Sequence, residues 1–241
     1  MKGRRVDTKK TRENIVITRY IAATVFAFIL LVGTVGCSPT PQERMVSAQS
    51  FMSANNYRGA MIELKNLLQD DASNAAARVL LAKVSLGLGD VESAEKELAR
   101  AFELGAEKAD NLELYFSVQL ALGKFADVIE QTGSDVWPAD GTEIQRQLLR
   151  GKAFMGLRSV DAAEEAFRLS MEEDATSIEA ISGLAKIKSS KGRYEEAIVD
   201  IKAALEVTPG NVPAWQALGE ISLLQGDKST AEREFARAVE L

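Results

Sequence analysis

The side chains on which most enzyme chemistry depends are nearly absent: the 241 residues contain no histidine and a single cysteine, Cys37. Without imidazole there is no Ser-His-Asp or Cys-His nucleophile, no histidine general base and no histidine metal ligand. No Gly-x-x-x-x-Gly-Lys loop is present to cradle a phosphate, and Gly87-x-Gly89 closes a helical pattern where a dinucleotide fingerprint would follow a strand. The acidic runs Asp70-Asp71, Glu164-Glu165 and Glu172-Glu173-Asp174 lack the spacing of a calcium loop and read as solvated helix surface. Two tryptophans remain. Trp215 falls at a packing position, whereas Trp137, beside Pro138 in an irregular stretch, is either an exposed ligand contact or loop packing. The expectation is a protein that is not an enzyme, with no catalytic residues, no metal and no cofactor.

Cys37 needs its own account. Residues 1–19 carry Lys2, Arg4, Arg5, Lys9, Lys10, Arg12 and Arg19, residues 20–32 are almost wholly apolar, and Gly33-Thr34-Val35-Gly36 precede the cysteine. A basic region, an apolar region and a small residue before the break make a signal peptide over 1–36. The end of it resembles the bacterial lipobox, with Thr34 where leucine is usual, which implies diacylglycerol and a palmitate-type acyl chain on Cys37 and a lipidated tether over 37–40. An uncleaved anchor is the alternative, since 17 apolar-to-small residues reach the lower limit for a membrane span. The whole chain carries a net charge of −6; residues 1–36 hold seven Lys and Arg against two Asp and Glu, so the remainder stands at −11 and nucleic acid is an unsuitable partner.

Beyond residue 40 the sequence repeats. Ala185, Gly192, Ala197 and Ala204 return 34 residues later as Gly219, Gly226, Ala231 and Ala238. A fixed period of that length means stacked helix pairs, none of which can bury its apolar residues alone. Small Gly219 and Ala231 suit a close helix crossing, and Trp215, Leu218 and Phe235 suit the volume beside it. The register carried backwards gives six units, three over 41–143 and three over 144–241. The third needs one extra residue and shrinks to a short second helix and a loop over 127–141, where a change of direction and a softer hinge are expected; the last stops short of a full period.

Trp215-x-x-Leu218-Gly219 and Ala231-x-x-x-Phe235-x-x-Ala238 resemble the tetratricopeptide repeat (TPR) at nearly every signature position. The resemblance implies an all-α solenoid whose first helices line a groove for a partner protein or peptide. Carried over by repeat position, the groove would present Met45, Gln49 and Met52, then Val79, Lys83 and Leu86, then Glu113 and Ser117, Lys152 and Met155, Lys186, and Glu220. No unit has the Lys-and-Asn pair with which chaperone-binding members clamp a terminal carboxylate.

A narrower resemblance rests on Cys37-Ser38-Pro39-Thr40-Pro41-Gln42-Glu43, on the run from Tyr57 to Gln69, and on Ala94-Glu95-Lys96-Glu97-Leu98. These are similar to the N-terminal part of TPR-repeat lipoproteins of the PEP-CTERM/exosortase system, long chains that accompany exopolysaccharide machinery. What this implies is a periplasm-facing scaffold, lipid-anchored to a membrane of the cell envelope, with the outer membrane favoured, acting in export or assembly. Two alternatives stand: an accessory region of an enzyme whose catalytic domain lies past residue 241, and an outer-membrane assembly lipoprotein.

Overall fold

The computed structural model describes residues 39–133, Trp137 and 142–241. The basic and apolar segment, Cys37, and the greater part of the loop expected over 127–141 lie outside the described residues. The chain divides into a unit ending at Glu43 and a body from Arg44 to Leu241. In the first, the Thr40 hydroxyl accepts from the Glu43 N–H at 3.2 Å while the Glu43 carboxylate accepts from the Thr40 N–H at 2.7 Å. That reciprocal pair starts a helix by satisfying two donors that have no partner within it.

Among the described residues all secondary structure is helical, as the sequence predicts. Six pairs follow in order: α1 (Pro41–Ser53) and α2 (Tyr57–Asp70), α3 (Ala75–Gly87) and α4 (Val91–Glu103), α5 (Leu112–Ala121) and α6 (Phe125–Gln131), α7 (Glu143–Gly156) and α8 (Val160–Glu173), α9 (Ile178–Ser190) and α10 (Tyr194–Val207), α11 (Val212–Gln225) and α12 (Lys228–Glu240). Most starts are fixed locally. Asn74, Asp90, Ser177, Asn211 and Asp227 each accept from the backbone N–H three residues on, and Thr142 with Gln145 forms a second reciprocal box. The turn ending α11 needs a left-handed residue, and Gly226 supplies it at φ 93° while its N–H and that of Asp227 return to the Leu223 and Ser222 carbonyls.

What holds pair to pair is burial shared across them. Ala48, Leu64, Leu67, Ala77 and Leu81 form one cluster drawn from α1, α2 and α3, with Leu64 and Leu67 wholly enclosed. Each such leucine contributes about 1.5–3 kcal/mol over leaving it exposed. Further along, the Phe167 ring of α8 presses on two glycines at once: a Cβ at Gly151 of α7 would come within 2.6 Å of it, and one at Gly183 of α9 within 2.5 Å. Gly219 meets Phe235 in the same way at 2.8 Å. The small residues of the repeat are therefore notches for rings. From the third pair to the sixth, first helices of successive pairs also touch, α5 with α7, α7 with α9, and α9 with α11, making a layer of first helices.

The third pair keeps its place by other means. Its second helix, α6, has only seven residues. Val128 and Thr132 are fully buried, and Phe116, Leu149 and Ala153 join Val128 in a cluster that spans the third and fourth pairs. The carbonyl of Ile129 accepts from Arg150 of α7 at 3.2 Å, and that of Thr132 accepts from Arg150 and Arg146 at 3.5 Å. The part of the expected hinge that is described, up to Gly133, is thus packed and capped by the following helix.

Candidate functional site: the inner layer of first helices

A groove needs apolar floor, polar points and some unmet hydrogen-bonding capacity. All three meet where α5, α7 and α9 lie side by side. A cavity of about 280 Å³ opens there, with Leu112, Leu148 and Leu149 as apolar lining, and Glu113, Ser117, Gln145, Lys152 and Glu179 as polar lining. Trp137 completes it. Its half-buried indole lies against Phe116 at 5.9 Å with planes 32° apart, and its main-chain N–H donates to the Gly133 carbonyl at 3.0 Å. Trp137 is therefore packed and cavity-lining together, which joins the two alternatives open at the level of sequence.

The indole Nε1 is the unusual atom. It is buried and has no hydrogen-bond partner among the described residues. A buried donor left unpaired costs about 1–3 kcal/mol. The charged groups alongside are loosely held. Lys152 meets Glu179 at 3.4 Å and Lys186 meets Glu220 at 3.1 Å, each pair bridging two successive first helices. All four side chains are about half exposed, so solvent screens the pairs and an incoming chain can exchange one partner at little cost.

The remaining positions drawn from the repeat register fall elsewhere. Met45 and Met52 are half-buried against the first core cluster, with Gln49 exposed between them. Val79 and Leu86 pack on the cluster around Ala94 and Leu98, leaving Lys83 exposed. Met155 packs beside Phe167 and Ile187. These methionines serve the interior as much as the surface. Conversely, Gln145 and Glu179 line the cavity although the groove positions named for the fourth and fifth pairs do not include them; both hold the second place of their 34-residue unit, and that is their signal.

Electrostatics elsewhere is that of a solvated helical surface. Glu164 pairs with Lys191 at 2.6 Å and Glu165 with Arg168 at 2.7 Å. Asp71 accepts from the Ser73 hydroxyl at 2.6 Å, which holds its carboxyl below the usual range. Burial pushes the Arg150 guanidinium down from its ordinary value, with Arg146 nearby acting the same way and Glu143 opposing. Among the described residues no three metal-ligating side chains gather.

Residues 51–113 and residues 183–241 each match a tetratricopeptide-repeat family model. The chain is a tetratricopeptide-repeat protein. Its fold is similar to the crystal structure of PilW, a widely conserved type IV pilus biogenesis factor, at 17% identity and TM-score 0.57 over 83% of this chain and 93% of that one. It is also similar to a tetratricopeptide repeat protein from Parabacteroides merdae, at 16% identity and TM-score 0.52 over 83% and 79%. Among curated proteins it is similar to the DnaJ protein P58IPK homolog of Arabidopsis thaliana, 22% identical over 88% of this chain and 39% of that protein. A 59-residue stretch is 37% identical to Superkiller complex protein 3 of Mus musculus, covering 24% of this chain and 4% of that one. The chain thus spans well under half the length of these curated relatives. TPR repeats mediate protein–protein interactions.

Proposed function

We propose that this TPR protein is a scaffold that holds an extended segment of a partner protein along the inner layer of first helices, centred on the cavity of Trp137, Glu113, Ser117 and Lys152. The observation that carries this reading is the Trp137-lined cavity where three first helices meet, with its apolar lining and exchangeable charges. The Trp137 ring and the lining leucines take apolar side chains of the partner, and Lys152 or Glu113 takes a charged one. The finer reading places the scaffold in the bacterial cell envelope, facing the periplasm and lipid-anchored through Cys37, in export or assembly of exopolysaccharide and PEP-CTERM proteins. Its support is the order basic, apolar, small, cysteine before residue 38, and the resemblance carried by residues 37–69.

Two experiments separate the levels. The protein, immobilised, captures partners from an envelope extract, and Ser117→Trp fills the cavity; a partner held equally well by this variant removes the groove reading. Labelled palmitate tests the anchor, since Cys37 is the only thiol and Cys37→Ala must abolish incorporation. Label retained by that variant removes the lipoprotein reading and leaves the groove untouched.

A further inference from the structure

The fourth residue of a first helix stands beside the loop that ends the preceding pair. Where both flanking second helices are long, that residue is Arg78 in α3, Ile181 in α9 and Trp215 in α11. Arg78 reaches back six residues, its Nη2 and Nε donating to the Ala72 carbonyl at 2.8 and 3.2 Å, and its Nη1 donating to Glu97 at 2.6 Å. Trp215 also reaches back six residues, its Nε1 donating to the Pro209 carbonyl at 2.9 Å. There the carboxylate matching Glu97 is Glu234, and Ser222 of the same pair already donates to it at 2.7 Å. A guanidinium fills the crevice whose carboxylate is free to receive it. An indole fills the one whose carboxylate is engaged.

In the fifth pair neither is supplied. The residue six before Ile181 is Ala175, and isoleucine has no donor for its carbonyl. A crevice of about 420 Å³ remains, lined by Ala175 and Thr176 and walled by Met171, Ile181, Leu184 and Val207. Val207 is 71% exposed, an apolar surface left to water. The carboxylate in the place of Glu97 and Glu234 is Asp200, and it is held by Lys188. By the pattern of its two sisters this is the indole type of crevice.

We propose that the α8–α9–α10 crevice is a docking slot for a tryptophan side chain presented by a partner protein. Its indole N–H donates to the Ala175 carbonyl as Trp215 does to Pro209, and its ring covers Leu184 and Val207. The complementarity is that of an apolar slot with a carbonyl acceptor and no uncommitted charge, which suits an indole and leaves a guanidinium without a counter-ion. The slot draws on second helices α8 and α10, which the Trp137 cavity does not, so the two surfaces are tested separately.

The probe is an end-blocked Gly-Ser-Trp-Ser-Gly peptide, titrated into the full chain with methyl-labelled methionine and isoleucine and followed by NMR. Saturable shifts at Met171 and Ile181 are expected with this peptide, and none with its Leu or Arg counterpart. Ile181→Trp, the residue the sixth pair uses for itself, should abolish them by filling the slot from within. Ala203→Trp, at an exposed position on α10 beside the crevice, should abolish them without touching the core. No shift at Met171 with the Trp peptide, equal shifts with the Leu or Arg peptide, or binding that survives both substitutions overturns the proposal.

Discussion

In the sixth pair the Phe235 ring sits on Gly219, Ala231 and Ala238 are buried, and α12 runs for 13 residues. In the third pair α6 runs for seven, its Phe125 ring sits on Gly156 of the fourth pair, leaving no room there for a Cβ, and Tyr115, Phe116 and Trp137 form an aromatic group with Phe102 of the second pair. Its last carbonyls, which a longer helix would have carried inside its own ladder, accept from arginines of α7. The two pairs share a stacking geometry and a ring set on a glycine, but the sixth pair holds both ring and glycine and the third finds its glycine in the fourth. What stacking demands is filled volume and satisfied helix ends. The sixth pair meets both demands with its own repeat, and the third borrows them from the fourth.

The comparison breaks most visibly at Phe167, which joins the fourth pair to the fifth by occupying notches on both sides and is 2% exposed. Phe167→Ala should cost about 3–5 kcal/mol, the usual loss for a large ring from a close-packed site. Denaturant unfolding measures it, and a loss below about 1 kcal/mol would show that the ring in its notch is not what holds the pairs together.

The borrowed support is weaker but more diagnostic. Arg150→Ala takes a charged donor from the Ile129 and Thr132 carbonyls and should cost about 1.5 kcal/mol, the low end for hydrogen bonds to charged groups. Hydrogen exchange should quicken in α6 while the amides of α12 stay protected, because coupling in a solenoid passes between neighbours. Equal loss at both ends would mean that the pairs unfold as one globule and that the distinction between own and borrowed support has no energetic content.

How much of this could be read from the sequence follows the same division. The pairs with their own means announced themselves: Gly219, Ala231 and Phe235 gave period, crossing and ring together, and Asn211 and Asp227 sat where helix starts belong. The third pair was legible only as a departure, because its supports lie about 20 residues away, Arg150 to Ile129 among them, and no period links them. In the candidate site, Glu113, Ser117 and Lys152 were reachable through repeat position, and Trp137 through its oddness. That the cavity would fall between the third, fourth and fifth first helices was not reachable, since it depends on where the shortened α6 leaves room.

Acid should separate the pairs again, by a smaller margin. The Asp90 carboxyl is held below its ordinary value by its bonds to Ser93, and that of Asp227 by its bonds to Thr230. A carboxylate with a depressed folded value stabilises at pH above its unfolded value, and that contribution is lost as pH falls through the folded one. Below the ordinary aspartate range, exchange of the Ser93 and Thr230 amides should therefore accelerate. The start of α6 should not lose a cap bond in this way, since the Lys124 side chain there accepts nothing from the backbone and donates outward to Glu95 at 2.6 Å. If all three starts loosen together, capping does not distinguish the pairs.

The smallest effect concerns a turn whose geometry persists where its residue does not. Between the helices of a pair, Gly89, Gly123, Gly192 and Gly226 take φ of 73–93°, and the fourth pair places Arg158 there at φ 59°. A side chain in the left-handed region costs about 1–2 kcal/mol. Glycine relieves it, yet adds about 0.4–1 kcal/mol of freedom to the unfolded chain. The difference favours Arg158→Gly by up to about 1.5 kcal/mol. Asn55 holds the same place in the first pair at φ 55°, but asparagine tolerates that region, so Asn55→Gly should gain less. Denaturant midpoints of the two variants measure the order. Should Arg158→Gly prove neutral or harmful, the arginine stem is making up the strain by contacts on α7 or α8, and the fourth pair would join the third in relying on a side chain where the regular pairs rely on backbone.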